Sequence, residues 1–263
     1  MFTNKTIVLT GANGGIGSEI AKLLSTANAT LVLVGLNDAE LQQLNQQLGG
    51  QHYAVQADIS NVEGRQTIVT FCQDLKEGVD IVINNAGVGQ FSLFEDMDEN
   101  QISTIININL SSTILLTQSL LPLLLTRPSA QIINIGSILG SIGFPGSTIY
   151  CASKFGIRGF TEALRRELMD TEIAVRYFAP RATNTAINTE QVVAMNNELG
   201  TKMDSAEQVA LELIAFLKGT KSSQYLGWPE KLLVRINSVL PSIVDNSLFK
   251  QLPIIKRYLQ GGQ

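Results

Sequence analysis

Thr6-Ile7-Val8-Leu9-Thr10-Gly11-Ala12-Asn13-Gly14-Gly15-Ile16-Gly17 decides the fold of this chain. A short β-branched run enters a glycine-rich turn, and an amphipathic segment follows at once. Glycines in such a turn remove side chains that would keep a diphosphate away from the backbone. The helix beyond offers unpaired N–H groups and the positive end of its dipole to phosphates. The same glycines would also suit a plain tight connection, so the strand before and the helix after carry the reading. No Gly-Lys-Ser/Thr accompanies them, and a P-loop is not supported.

Outward from this stretch, further strand-like runs lie at 30–35, 52–57, 79–84, 131–135 and 173–178, with a weaker one at 223–227. Amphipathic segments at about 15–27, 38–48, 61–77, 98–126, 149–170 and 205–218 separate them. That alternation is the pattern of repeated βαβ units. It predicts an α/β fold, a doubly wound parallel sheet (Rossmann-like) in a single domain. Residues 1–228 form the expected dinucleotide-binding and catalytic part, with an irregular stretch at about 181–204. Residues 229–263 form a helical, amphipathic C-terminal extension. No linker or internal repeat divides the chain.

With 263 residues, 44% of them hydrophobic, a sizeable core is available. A net charge of −4 and a pI near 5.1 argue against nucleic-acid binding, which needs a basic footprint. Cys72 and Cys151 form no pattern and suggest a reducing compartment. The first residues run straight into a strand, leaving no room for a signal peptide. The apolar stretch 114–125, broken by Thr117, Gln118, Ser119 and Pro122, reads as too short and polar to span a bilayer. The expected location is therefore cytoplasmic. His52 is the one histidine, so histidine triads and multi-histidine metal sites are not expected, and no metal is assigned.

Tyr150 and Lys154 stand four residues apart on a helix, on one face. A cation beside a phenol favours the phenolate and lowers its pKa toward working pH. Ser137 lies thirteen residues upstream of Tyr150. At the end of the second strand, Val34-Gly35-Leu36-Asn37 offers neither an acid for a ribose 2′-hydroxyl nor a base for a 2′-phosphate. Asp38 reads as the cap of the next helix. Asp58, followed by Ile59 and Ser60, fits either an adenine contact or a helix cap.

These motifs together resemble the short-chain dehydrogenase/reductase family over about residues 4–228. Gly11, Asn13, Gly14, Gly15, Ile16 and Gly17 match its cofactor turn. Asn84-Asn85-Ala86-Gly87 matches the segment after its fourth strand. Asn109, preferred over Asn107 by register, matches its active-site asparagine, and Ser137, Tyr150 and Lys154 its remaining catalytic positions. The resemblance implies NAD(H) or NADP(H), with the choice open, and a small alcohol or carbonyl substrate. It implies Tyr150 as general acid/base, Lys154 on the ribose hydroxyls, Ser137 on the substrate oxygen, and Asn109 holding a water behind Lys154. Leu36, Asp58, Ile59, Asn85, Ala86, Gly87, Pro180, Thr183 and Thr185 complete the implied cofactor contacts, the two threonines at the nicotinamide carboxamide. A homodimer or homotetramer is also implied. The family's Pro-Gly is Pro180-Arg181 here, and Arg181 reads as either a phosphate or acidic-substrate contact or a surface salt bridge. A catalytically silent nucleotide-binding regulator or scaffold is the rival reading, with an epimerase or dehydratase second among enzymes.

Beyond Trp228 the chain continues with Leu232, Leu233, Ile236, Val239 and Leu240 as an apolar stripe beside Lys231 and Arg235. Pro229 suits the first turn of that helix. Three readings follow: a lid over the cleft or core, a peripheral membrane contact, or a surface for self-association. Apolar residues here and in 182–204 favour a lipophilic substrate.

Overall fold

In a computed structural model, residues 2–261 are described; Met1, Gly262 and Gln263, the last two closing the expected extension, lie outside the described residues. The order begins β1 (Thr6–Thr10), α1 (Gly15–Thr26), β2 (Thr30–Gly35), α2 (Asp38–Gln47), β3 (Tyr53–Gln56), α3 (Val62–Asp74) and β4 (Ile81–Asn84). It continues with α4 (Glu99–Ile106), α5 (Ser112–Leu125), β5 (Ala130–Ile135), α6 (Thr148–Glu167) and β6 (Ile173–Ala179). Then come β7 (Thr183–Asn184), α7 (Glu190–Glu198), β8 (Asp204–Ser205), α8 (Ala206–Lys218), β9 (Ser223–Tyr225), α9 (Glu230–Val239) and α10 (Pro241–Gln260).

Seven strands form one parallel sheet in the order β3-β2-β1-β4-β5-β6-β9. The order reverses between β1 and β4, and a ligand crevice forms at the carboxyl ends of strands at such a point. Alternation across the pleat divides the core. Ile7, Leu9, Leu33 and Ile83 face α1 and α8, while Val8, Val32, Val82 and Ile132 face α3 and α5. Every residue of β1 is buried, as a strand covered on both faces requires.

Several local expectations change. Asn37 caps α2, accepting from the Glu40 N–H at 3.3 Å, so Asp38 is the first helical residue, where its charge suits the helix dipole. Asn61, not Asp58 or Ser60, caps α3, accepting from the Gly64 N–H at 2.8 Å. The helix expected over 98–126 is broken by a π-helical turn at Asn107–Ser111. Counted across that turn, Glu99–Leu125 is long and apolar enough to cross a membrane, contrary to the reading of 114–125 alone. Its Leu116, Leu120 and Leu124 are instead fully buried against the sheet, as in a core helix. The 181–204 stretch is ordered by β7 pairing with β8 and by α7.

The apolar residues of the extension pack in two places, while Leu232, Val239 and Leu240 of its stripe stay exposed. Val234 and Val244 pack with Ile138 and Ile142, joined by Leu233 and Ile236. Ile255 and Leu259 pack with Met195, Phe91 and Phe144. Pro229 is the cap before α9 rather than part of its first turn.

Candidate active site

The first turn of α1 follows Gly14, and neither a side-chain cap nor an acidic residue occupies it. By contrast α2, α3, α4, α7 and α8 all carry side-chain caps. Gly11 adopts φ +63°, and a Cβ there would lie 2.9 Å from the Ala86 Cα; a Cβ at Gly17 would run into the Gly11 carbonyl. The turn is therefore a close-packed cradle with free N–H groups at its mouth, which fits a diphosphate. Asn85 holds it closed: its Nδ2 donates to the carbonyls of Thr10 and Gly11, each at 3.1 Å. The Thr10 hydroxyl accepts from the N–H groups of Asn85 and Ala86, each at 3.0 Å. Asn85 is thus a builder of the turn. Ile16 is half-buried over its core side.

At the adenosine end, Leu36 is exposed and Ile59 buried. The Asp58 carboxylate accepts from the Ser60 N–H at 2.8 Å. Glu40 receives Asn13 Nδ2 at 2.6 Å and Asn37 Nδ2 at 2.9 Å, placing a carboxylate between the glycine turn and the end of β2. Sequence reading missed Glu40, although its place three residues beyond the cap is a signal for such a contact.

Ser137 follows β5 at the sheet's carboxyl edge, and its hydroxyl meets that of Tyr150 on α6. The Ser137 Oγ also accepts from the Leu139 N–H at 3.1 Å. Lys154, one turn beyond Tyr150, sits with Nζ 5.7 Å from the Tyr150 ring centre and donates to the Ile135 carbonyl at 3.0 Å. Gly87 leaves room for both neighbours, since a Cβ there would lie 3.2 Å from Asn109 Oδ1 and 3.6 Å from Lys154 Nζ. Asn109 is buried on the π turn; its Oδ1 accepts from the Val88 N–H at 2.8 Å, and its Nδ2 donates to the Val88 carbonyl at 2.9 Å. Asn107 points elsewhere, to the Ser60 carbonyl.

The electrostatics depart from the sequence expectation. Burial pushes the Tyr150 phenol up to about 12, although the residue keeps some solvent contact; the Ser137 hydroxyl opposes this but is outweighed. Burial brings the Lys154 ammonium down to about 8. The cation is aimed at the Ile135 carbonyl rather than at the phenolic oxygen, so desolvation governs both groups.

Tyr177 of β6 was not anticipated. Its hydroxyl accepts from the Ser137 N–H at 3.4 Å and donates to the Ser137 carbonyl at 3.1 Å, holding that backbone from both sides. Gly136 and Gly140 make space for its ring, and two glycines bracketing Ser137 were the available signal. Asn237 of α9 donates to the Ser141 carbonyl at 2.9 Å, and Arg158 to the Ser141 hydroxyl at 2.9 Å. The loop carrying Ser137 is thereby tied to the extension.

The Pro180 carbonyl accepts from Ile138 N–H at 3.0 Å. Arg181 makes a salt bridge that is buried rather than at the surface, bonded to Asp204 at 2.6 and 3.0 Å and to Glu230 at 3.3 Å. The Thr183 hydroxyl donates to the Arg181 carbonyl at 2.9 Å. Thr185 lies against Gly15, where a Cβ would approach its Cγ2 to 2.8 Å, beside the glycine turn. Among the described residues no group of three or more His, Cys, Asp or Glu side chains could hold a metal.

A doubly wound sheet with a glycine cradle and a serine, tyrosine and lysine converging at its carboxyl edge defines a nicotinamide-dependent oxidoreductase. The short chain dehydrogenase family matches residues 5–196, and this chain belongs to it, the short-chain dehydrogenase/reductases. Nodulation protein G of Rhizobium sp. (strain N33) is 31% identical over 230 residues, covering 86% of this chain and 94% of that protein. The ketoacyl reductase HetN of Nostoc sp. (strain PCC 7120) is 29% identical over 254 residues, covering 93% and 88%. The crystal structure of a Burkholderia phymatum short-chain dehydrogenase/reductase in complex with NAD superposes with a TM-score of 0.82 at 22% identity, covering 90% and 94%.

Proposed function

We propose that this protein interconverts a secondary alcohol and a ketone on a lipophilic substrate, with NAD(H) as cofactor and Tyr150 as general acid/base. The observation that carries the reading is the Ser137–Tyr150 hydroxyl contact beside the Lys154 ammonium, next to the glycine cradle. The bound nicotinamide would supply or receive hydride. Tyr150 passes the proton to or from the substrate oxygen, and Ser137 hydrogen-bonds that oxygen as its charge develops. Lys154 holds the ribose hydroxyls, and Asn109 fixes the Gly87-Val88 backbone beside it, where a water would connect Lys154 to solvent. Gly11, Gly15 and Gly17 receive the diphosphate.

Glu40 and Asp38 at the end of β2, with no Lys or Arg from 33 to 45, support NAD(H): a 2′-phosphate there would face carboxylates. Phe91, Phe144, Met195 and Leu259, packed beside the Tyr150 loop at Gly146, support a lipophilic substrate. The ketoacyl reductase name of one relative agrees with a ketone on an acyl chain. Two free, buried thiols fit the cytoplasmic reading, and exposed Leu115, Leu125 and Phe155 on α5 and α6 support a homodimer or homotetramer.

The test is Tyr150→Phe assayed with a panel of aliphatic ketones and alcohols. Turnover should fall by roughly a hundredfold or more, the usual worth of a positioned acid/base. NADH affinity, followed by fluorescence, should stay near parental and exceed that for NADPH. Near-parental turnover in the variant refutes the assignment, and a parent that binds NADH yet turns over nothing favours a silent scaffold.

A further inference from the structure

The outer face of α9 carries a second kind of chemistry. With about 100° between successive helical residues, Lys231, Leu232, Arg235 and Val239 fall within about 100° of one another. All four are exposed and lie opposite Val234 and Asn237, which face the protein. Trp228 joins them at the helix start, its ring 5.9 Å from Lys231 Nζ. The apolar members are too open for a finished surface: Trp228 is 64% exposed, Val239 77%, and Leu240 and Ile243 at the elbow into α10 are 55% and 51%.

We infer that this face docks on an anionic phospholipid bilayer, with Trp228, Leu232, Val239, Leu240 and Ile243 entering the headgroup boundary and Lys231 and Arg235 meeting the phosphates. An aromatic and aliphatic surface bordered by basic side chains is what lies flat in that region. The charge pattern selects this partner. Residues 228–261 carry five basic and two acidic side chains in a chain of net charge −4, and among the described residues only Arg257 of the five is paired, with Glu198. Of the two acids, Glu230 is held by Arg181, so it does not offset the basic face. A second copy seated on the same patch by twofold symmetry would bring Lys231 and Arg235 against their own likeness, which disfavours self-association. This surface is separate from the cleft and does not depend on the substrate assigned above.

Deleting the extension would also strip Ile138 and Ile142 of their cover, so the full chain and point variants are required. Flotation is measured with vesicles of pure phosphatidylcholine and of an equal mixture with phosphatidylglycerol. The parent should float with the anionic vesicles and lose that binding as salt is raised. Each basic side chain at such a surface is worth roughly fivefold, so Lys231→Gln with Arg235→Gln should weaken binding roughly 25-fold. Val239→Ser with Leu240→Ser should weaken it at least tenfold, a loss of order that expected for two inserted aliphatic side chains. All variants should keep parental circular dichroism and NADH binding. Equal flotation with both vesicle types, or unchanged binding in both double variants, overturns the inference. So does a parental dimer that the same variants dissociate while the parent ignores vesicles.

Discussion

Replacing Lys154 by Met should make the cofactor-free protein more stable while it abolishes turnover. The Lys154 ammonium is buried, its hydrogen bond goes to the neutral Ile135 carbonyl, and no carboxylate pairs with it among the described residues. Its pKa falls from 10.5 to about 8 through burial alone. That depression corresponds to about 3 kcal/mol of unfavourable charge burial at neutral pH. Met keeps the straight side chain without the charge, but leaves the Ile135 carbonyl without this donor, a loss of about 1 kcal/mol. The net gain is about 2 kcal/mol, or a rise in Tm of roughly 4–8 °C for a domain of this size. The sign has a pH signature. Below about 8 the folded and unfolded chains both hold the proton and the cost is fully present. Between about 8 and 10.5 the unfolded chain binds more protons, so parental stability rises with pH relative to the variant and the gap closes. Thermal melts at neutral pH and near the upper end of that window decide it. A variant that melts at or below the parent at neutral pH, or a gap that does not narrow, refutes the reasoning.

Two further substitutions probe the frame around the site. Arg181→Met leaves Asp204 and Glu230 without their shared cation and should cost about 3–5 kcal/mol in urea unfolding, as broken buried pairs do. A loss below about 1 kcal/mol would mean that the pair is solvated, as at an exposed bridge. Gly136→Ala drives a methyl group into the Tyr177 ring and should cost about 2–3 kcal/mol. Adding Tyr177→Ala to that variant removes the clash and should recover part of the lost stability in urea unfolding; no recovery would mean that the strain lies elsewhere.

Hydrophobic period and punctuation made the sheet legible, because strands such as Thr6–Thr10 are buried on both faces and read as continuous apolar runs. The positions of Ser137, Tyr150 and Lys154 followed from helix spacing and motif order. What stayed hidden depends on tertiary placement. The π turn at Asn107–Ser111 has no composition of its own; it appears where Asn109 turns inward to the Val88 backbone. A surface salt bridge was one of two readings for Arg181, and the acids that bury it come from 23 and 49 residues away. Asn37 took the cap from Asp38 because one residue of register decides which side chain reaches the free N–H. The elevated Tyr150 pKa arises from desolvation, and no i, i+4 pattern reports how much water a site excludes.

Asn237 and Leu259 come from the last two helices, yet one braces the loop of Ser137 and the other walls the cleft. During synthesis the sheet is therefore complete before the active site is. A chain still tethered to the ribosome can assemble its dinucleotide cradle without a finished serine loop. The serine loop gains its brace only once those helices have folded back onto it.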